Sequence, residues 1–192
     1  MTTRRAALIA GLSVVALALI WVIFAGLPRW TGRSATGAAG TTAEPGAPAG
    51  PGRKIKARLF YVGDDGTKLQ SVERDVPFGE DTVQQAKAII SAQIAPVAEP
   101  LISAVPPGTA LRAVFITEQG EAYVDLSGEA SSAHPGGTLN ELLTVYTIVN
   151  ALTANLPAVS GVQILIAGKE VNTLAGHVDL RRPLARDLAW VQ

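Results

Sequence analysis

The sequence of residues 54–192 predicts an α+β domain of two layers, in which two helices pack on a mostly antiparallel or mixed sheet. Three observations lead to this prediction. Short apolar stretches alternate with polar residues between turns, two longer stretches repeat apolar residues every three or four positions, and the two kinds follow in a regular order. A repeat of two is typical of half-buried strands and a repeat near 3.6 of amphipathic helices. The predicted order is strand-strand-helix-strand-strand-helix-strand-strand, which is two similar halves in succession.

The first half begins with a predicted hairpin. Residues 55–62 end in a Gly-Asp-Asp-Gly turn, and residues 67–76 return as the second strand. Asp81 stands three residues before Gln84, a pair that caps the first turn of a helix, and apolar residues at helical spacing continue this helix to about Ala92. Prolines then predict an irregular loop before the second half.

The second half repeats this arrangement. Residues 111–117 and 121–127 are predicted strands on either side of a Glu-Gln-Gly turn. Thr138 and Glu141 match a Thr-x-x-Glu capping box, which predicts the start of a long, largely buried helix that stops at Pro157. The apolar run after this helix, turned back by a glycine, predicts a final pair of strands.

The N-terminal segment differs in kind from the rest. Residues 6–27 hold no charged side chain and follow two arginines. As a helix this run is about 33 Å long, which is enough to cross a hydrocarbon core of about 30 Å. It therefore predicts a single-pass transmembrane anchor or uncleaved signal, with residues 1–5 as a cytoplasmic tail. The alternative is a secretory signal that is cleaved later, near the small residues around Ala39.

Residues 31–53 are almost wholly Gly, Ala, Thr, Ser and Pro. Because they offer little apolar surface to bury, they predict a flexible tether between the anchor and the domain at 54–192. Anchor and tether together predict that the protein sits in the cytoplasmic membrane through residues 6–27 and that its C-terminal domain lies on the extracytoplasmic side.

Charge is divided unevenly along the chain. Residues 1–53 carry five basic and one acidic side chain, whereas residues 54–192 carry eleven basic and fifteen acidic ones, so that the halves are at +4 and −4. A domain at −4 lacks the basic surface that neutralises phosphates, which argues against a nucleic-acid partner. The absence of cysteine excludes disulfides, thiolate nucleophiles, cysteine metal ligands and a lipidated N-terminal cysteine.

Few residues have the right types for chemistry. Ser131, His134 and Asp125 supply the side chains of a hydrolytic triad, but no Gly-x-Ser-x-Gly turn accompanies them. His177 and Asp179 supply two metal ligands, where a zinc site needs three or four. We therefore predict no catalytic residue, no metal site and no cofactor.

Three polar residues on the long helix are a candidate contact face. Thr144, Thr147 and Asn150 follow one another at three-residue steps, which places them on one side of the helix. The alternative is that the threonines hydrogen-bond to carbonyls of their own helix and that Asn150 satisfies the backbone of a loop.

Three stretches of the domain resemble a known family. They are ARLFYVGDDGTKLQSVERDVPF at 57–78, SAVPPGTALRAVFITEQGEAYVDLS at 103–127 and ELLTVYTIVNALTANLPAVSGVQILIAGKEVNTLAGHVDL at 141–180. Together they resemble the GerMN domain of sporulation and spore-germination proteins. The resemblance implies an exported, membrane-linked or lipid-linked domain that assembles with other envelope proteins, and it brings no catalytic residues. Some relatives carry two tandem copies or a lipidated cysteine, whereas this chain has one copy and no cysteine.

These observations predict a non-catalytic, membrane-anchored GerMN-like domain outside the cytoplasm, acting in envelope or sporulation-type protein assembly. Its expected partner is an envelope protein or further copies of itself. The alternative is a small envelope domain that binds or hydrolyses cell-wall material.

Overall fold

The computed structural model describes residues 52–192, and this part of the chain has the predicted α+β fold. Its strands and helices are, in chain order, β1 (Lys54–Val62), β2 (Leu69–Pro77), α1 (Thr82–Ile94), β3 (Leu111–Ile116), β4 (Glu121–Leu126), α2 (Glu129–Ser132), α3 (Thr138–Asn155), β5 (Gly161–Ile166) and β6 (Lys169–Glu170).

The described strands form two sheets instead of the one sheet predicted. β1 and β2 pair antiparallel as a separate hairpin, and the other four strands lie in the order β3-β4-β5-β6. Within the larger sheet, β4 and β5 run parallel and the other neighbours run antiparallel. A parallel pair requires a long crossover connection, which α2 and α3 supply.

The hairpin stays separate because side chains occupy the edge of β1 that faces away from β2. Three alternate residues of β1 have their outward backbone groups paired: Arg58 N–H and C=O with the Asn155 side chain, Phe60 N–H and C=O with the Gln93 side chain, and Val62 N–H with the Ile102 carbonyl. The four amide contacts measure 2.7–2.8 Å. The amides thus take the place of a neighbouring strand and attach β1 to α1 and α3.

Both long helices contact both sheets, so that α1 and α3 join them around one core. The largest side chains that are fully buried come from both sheets, both helices and the C-terminal segment: Leu59, Phe60, Tyr61, Leu69, Ile89, Ile90, Leu126, Ile148, Leu152, Ile164 and Leu180.

The two helix starts had different outcomes. α1 begins as predicted, because Asp81 accepts a hydrogen bond from the Gln84 N–H at 2.7 Å and another from its side-chain amide at 3.0 Å. The capping box predicted for α3 is wrong. Gly137, with a φ of 86°, precedes the helix without a side-chain cap, and Thr138 is already helical. Glu141 binds instead to a loop that lies far along the chain.

The predicted tail and anchor, and residues 31–51 of the predicted tether, lie outside the described residues. Among residues 52–192, none of the helices combines the length and the apolar character that crossing a membrane requires.

Candidate interaction site

An apolar cleft of about 490 Å³ lies between the end of α1 and the proline-rich loop that follows it. Its walls are Ile94, Ala95, Pro96, Val97, Leu101, Ile102, Ser103, Val105, Pro106, Pro107, Gly108 and Thr109. Concave surfaces with mainly aliphatic walls and a few polar groups are where proteins most often bind ligands or partner segments.

Ile102 is the most exposed aliphatic side chain of the cleft, at 58% of its surface. Its carbonyl accepts a hydrogen bond from Val62 N–H at 2.9 Å, which fixes this part of the loop to the end of β1. With Ser103 it also borders a second depression of about 280 Å³. Covering such a side chain contributes about 1–2 kcal/mol, so the position favours contact with another molecule.

Two acidic residues, Glu99 and Glu129, belong to the loop or lie beside the cleft. Glu99 is the only charged residue between positions 94 and 109. Glu129 lies beside Gly108 in the cleft wall, with 3.7 Å between its Cγ and the place of a Cβ on that glycine. A hydrogen bond from the Ser127 hydroxyl lowers the pKa of Glu129, which keeps it ionised at neutral pH. The cleft therefore combines apolar walls with negative charge.

A second cluster surrounds Glu141, whose side chain is fully buried. Its carboxylate accepts backbone N–H bonds from Leu174 at 2.7 Å, Ala175 at 3.0 Å and His177 at 2.8 Å. Burial alone raises the pKa of Glu141, but these N–H donors outweigh it and the pKa is lowered. The residue is thus an ionised carboxylate that holds the 174–177 loop against α3.

The same carboxylate orients the His177 ring, because its Oε2 lies 3.2 Å from Nδ1 of the imidazole. His177 borders a shallow polar pocket of about 200 Å³ together with Asn172, Thr173, Asp179 and Arg181. The Arg181 guanidinium binds both carboxylate oxygens of Asp179 and lowers its pKa. Since this ion pair neutralises itself, the pocket offers hydrogen bonds more than net charge.

The side chains of the candidate triad do not bond to one another, and the bond between two of its residues is a backbone one, from His134 N–H to the Ser131 carbonyl at 3.1 Å. Each side chain has other partners. The Ser131 hydroxyl donates to the Leu174 carbonyl, and the His134 ring contacts the Thr144 hydroxyl and accepts from Gly136 N–H. The Asp125 carboxylate accepts from Arg112 and from Gly168 N–H. His177 and Asp179 border the same pocket, but no set of three or more metal-binding side chains occurs within residues 52–192.

The candidate contact face on α3 turns inward. Thr144, Thr147 and Asn150 are all buried. The Thr144 hydroxyl lies 2.9 Å from the Asn140 carbonyl one turn earlier, and the Asn150 side chain pairs with the backbone N–H and C=O of Asp187. The Asn150 bonds match the alternative interpretation. Thr144 matches it only in part, because its hydroxyl lies closer to the Ala104 carbonyl, at 2.6 Å. Thr147 does not match it, since its buried hydroxyl has no hydrogen-bond partner within residues 52–192.

Sequence patterns did not single out Ile102 or Glu141 in these roles. The only signal for Ile102 is a large aliphatic residue within an irregular, proline-rich stretch, where no helix or strand explains it. The signal for Glu141 is that it is the only charged residue of α3, and the capping pattern offered a local explanation for it.

Comparison with known proteins gives the family. The model of the Germane family, described as sporulation and spore germination, matches residues 58–172. The chain belongs to the Germane family. The first GerMN domain of the sporulation protein GerM from Bacillus subtilis has a similar structure, with a TM-score of 0.51 at 19% identity over 69% of this chain and 98% of that one. The structure of the tandem GerMN domains of the same protein has a TM-score of 0.49 at 20% identity, over 71% of this chain and 46% of that one. No curated protein matches.

At this level of identity the likeness to GerM shows the fold, and the family match shows a GerMN-type domain of the sporulation and germination class.

Proposed function

We propose that this Germane domain is a non-catalytic assembly module of the cell envelope that binds a protein partner through the cleft at Ile102. The observation that carries the proposal is the exposed Ile102 side chain at the border of an apolar cleft. The membership in a sporulation family supports it, because the resemblance to GerMN domains implies assembly with envelope proteins.

The occupant that fits the cleft is an extended segment of another envelope protein with aliphatic side chains and a basic residue at one end. The aliphatic side chains match the cleft walls, and the basic residue matches Glu99 and Glu129. An extended segment suits a cleft that runs along a loop, since alternate side chains of such a segment point to the same side.

Residues 6–27 are, in this proposal, a single-pass anchor in the cytoplasmic membrane, and residues 31–53 tether the domain on the extracytoplasmic side. The support is the uncharged stretch of membrane length and the composition that follows it. The tether gives the domain reach along the membrane surface, where envelope partners are concentrated.

The test places a photo-crosslinking amino acid at Ile102 in the full chain, expressed in its own cells. A matched control carries the same amino acid at Leu188, which is exposed to a similar extent, 55% against 58%. We expect one discrete adduct at position 102, with an aliphatic and basic segment of another envelope protein, and no such adduct at 188. Adducts that are the same at both positions, or none at 102, would contradict the proposal.

The alternative, a small domain that binds or hydrolyses cell-wall material, has one feature in its favour. The His177 imidazole is oriented by a buried carboxylate at the border of a polar pocket. If His177→Ala, with unchanged folding, abolished binding to purified cell wall or the release of soluble fragments from it, this second function would replace the first.

A further inference from the structure

The edge of the larger sheet at β3 has no counterpart to the amides that close β1. β3 is the outermost strand and pairs only with β4. Thr117 N–H donates to the Glu121 carbonyl, so the backbone groups of Thr117 face β4. Because this direction alternates along a strand, the N–H and C=O groups of Val114 and Ile116 point away from β4. Within residues 52–192 they meet no hydrogen-bond partner.

Phe115 lies at the middle of this open edge and is 60% exposed, the largest exposure of an aromatic side chain in the described part of the chain. Natural proteins usually protect open edges with charged residues, prolines or covering elements, because unpaired strand groups and apolar side chains favour pairing with another strand. An open edge with a central phenylalanine is therefore a favourable surface for another strand to pair with.

We infer that β3 pairs antiparallel with β3 of a second copy of this chain, around a twofold axis at Phe115. This register places Val114 opposite Ile116 of the second copy, and both have their backbone groups turned outward, as hydrogen bonding requires. It also places the two Phe115 rings on the same face of the sheet, where cross-strand aromatic pairs contribute about 0.5–1 kcal/mol.

Charge complementarity selects a second copy as the occupant. In this register Arg112 at one end of β3 comes toward Glu118 of the second copy at the other end, and the twofold axis repeats the contact. The Arg112 side chain is half exposed, at 52%, although its Nε binds Asp125, and Glu118 is exposed in the turn after the strand. The apolar, hydrogen-bonding and charged groups of β3 thus match those of β3 in the second copy. A twofold interface requires this self-complementarity.

The pairing would join two four-stranded sheets into one sheet of eight strands. None of the residues that line the cleft at Ile102 belongs to β3, so the pairing uses no residue of the cleft.

The chain offers a direct test because it has no cysteine. In an antiparallel pair, directly opposed residues that do not share hydrogen bonds have Cα atoms about 4.5 Å apart, which lies within the range for a disulfide. We expect Phe115→Cys in the full chain, in detergent, to form a covalent dimer under mild oxidation. The control Leu188→Cys, of similar exposure, is expected to stay monomeric. A Phe115→Cys chain that stays as monomeric as the control would overturn the inference.

A charge exchange tests the same axis without a disulfide. We expect Phe115→Glu and Phe115→Lys each to halve the molar mass measured by light scattering, because each variant places like charges opposite one another. Mixing the two is expected to restore the dimer. An unmodified chain that is monomeric, or a mixture that stays monomeric, would overturn the pairing. Ile102→Glu is expected to leave the mass unchanged, so the result is independent of the cleft.

Discussion

The two strand edges of this domain differ in how their backbone groups are satisfied. On β1, the side chains of Gln93 and Asn155 and the carbonyl of Ile102 bond the outward groups of three alternate residues. On β3, the outward groups have no partner within residues 52–192, and Phe115 stands exposed beside them. The closed edge serves the fold, because it attaches the hairpin to the helices. The open edge is available for association.

The largest expected effect comes from reopening the closed edge. Gln93→Leu removes both partners of the Phe60 backbone in the interior, where each unsatisfied group costs about 1–3 kcal/mol. We expect the free energy of unfolding to fall by about 2–4 kcal/mol in urea titrations. Gln119→Leu, at an exposed glutamine in the turn after β3 whose side chain makes no hydrogen bond within residues 52–192, is the control and should change it by less than about 1 kcal/mol. Equal losses for both variants would mean that the hydrogen bonds from Gln93 to the Phe60 backbone do not stabilise the fold.

A buried carboxylate closes the 174–177 loop in the same manner, and its removal should rank second. Glu141→Gln keeps the shape but loses the charge that three N–H groups contact. We expect a loss of about 2–3 kcal/mol at pH 7. Because the pKa of Glu141 is lowered by folding, its contribution is complete above the unfolded pKa of about 4.3 and disappears as pH falls through the lower folded value.

Unfolding titrations at several pH values between 7 and 3 check this prediction. The difference in stability between the parent chain and Glu141→Gln should shrink toward the acidic end. A difference that stays constant over this range would show that the charge of Glu141 does not stabilise the loop.

Asn155→Ala should have a smaller effect than Gln93→Leu. Asn155 also bonds both backbone groups of an edge residue, Arg58, but this pair lies at a partly exposed position, where water replaces the lost partner. We expect a loss of about 1 kcal/mol in the same urea titrations. A loss as large as that of Gln93→Leu would mean that water does not replace the lost partner at Arg58, just as it does not at the buried Phe60.

The smallest effect on the monomer is expected at the open edge. Phe115→Ser removes an exposed ring and should change the free energy of unfolding of the monomer by less than about 0.5 kcal/mol. The parent chain should become more stable to heat as its concentration rises, because association stabilises it, whereas the variant should not. Melting temperatures measured over a hundredfold concentration range distinguish the two, and equal dependence in both would count against the pairing at β3.

Local signals in the sequence predicted the parts of the fold that depend on local interactions. Asp81 caps α1 as expected, since its partner Gln84 is three residues away. Alternation of polarity and glycine turns likewise predicted the three antiparallel hairpins, β1–β2, β3–β4 and β5–β6. The family resemblance added a class of protein, and the family match confirmed it.

The features that sequence patterns missed depend on residues far apart in the chain. Glu141 fits a capping pattern, yet its partners lie more than thirty residues later in the chain. A local pattern cannot predict that these distant N–H groups bind the carboxylate in place of the helix start. Gln93 and Asn155 look like ordinary polar helix residues in the sequence. In the structure their side chains bond the outward backbone groups of β1, where the strand of a continuous sheet would otherwise pair. The spacing of Thr144, Thr147 and Asn150 left a contact face and bonds within the domain as alternatives, and all three side chains are buried.

The closed edge of β1 also has a mechanical consequence. The chain enters the domain at Lys54, at the first residue of β1, so tension applied from the N-terminal side acts along this strand first. The ladder to β2 and the amide contacts of Asn155 and Gln93 resist sliding of β1 from both of its sides. Many hydrogen bonds then carry the load together, and the domain should withstand pulling at this end better than a hairpin held on one side alone.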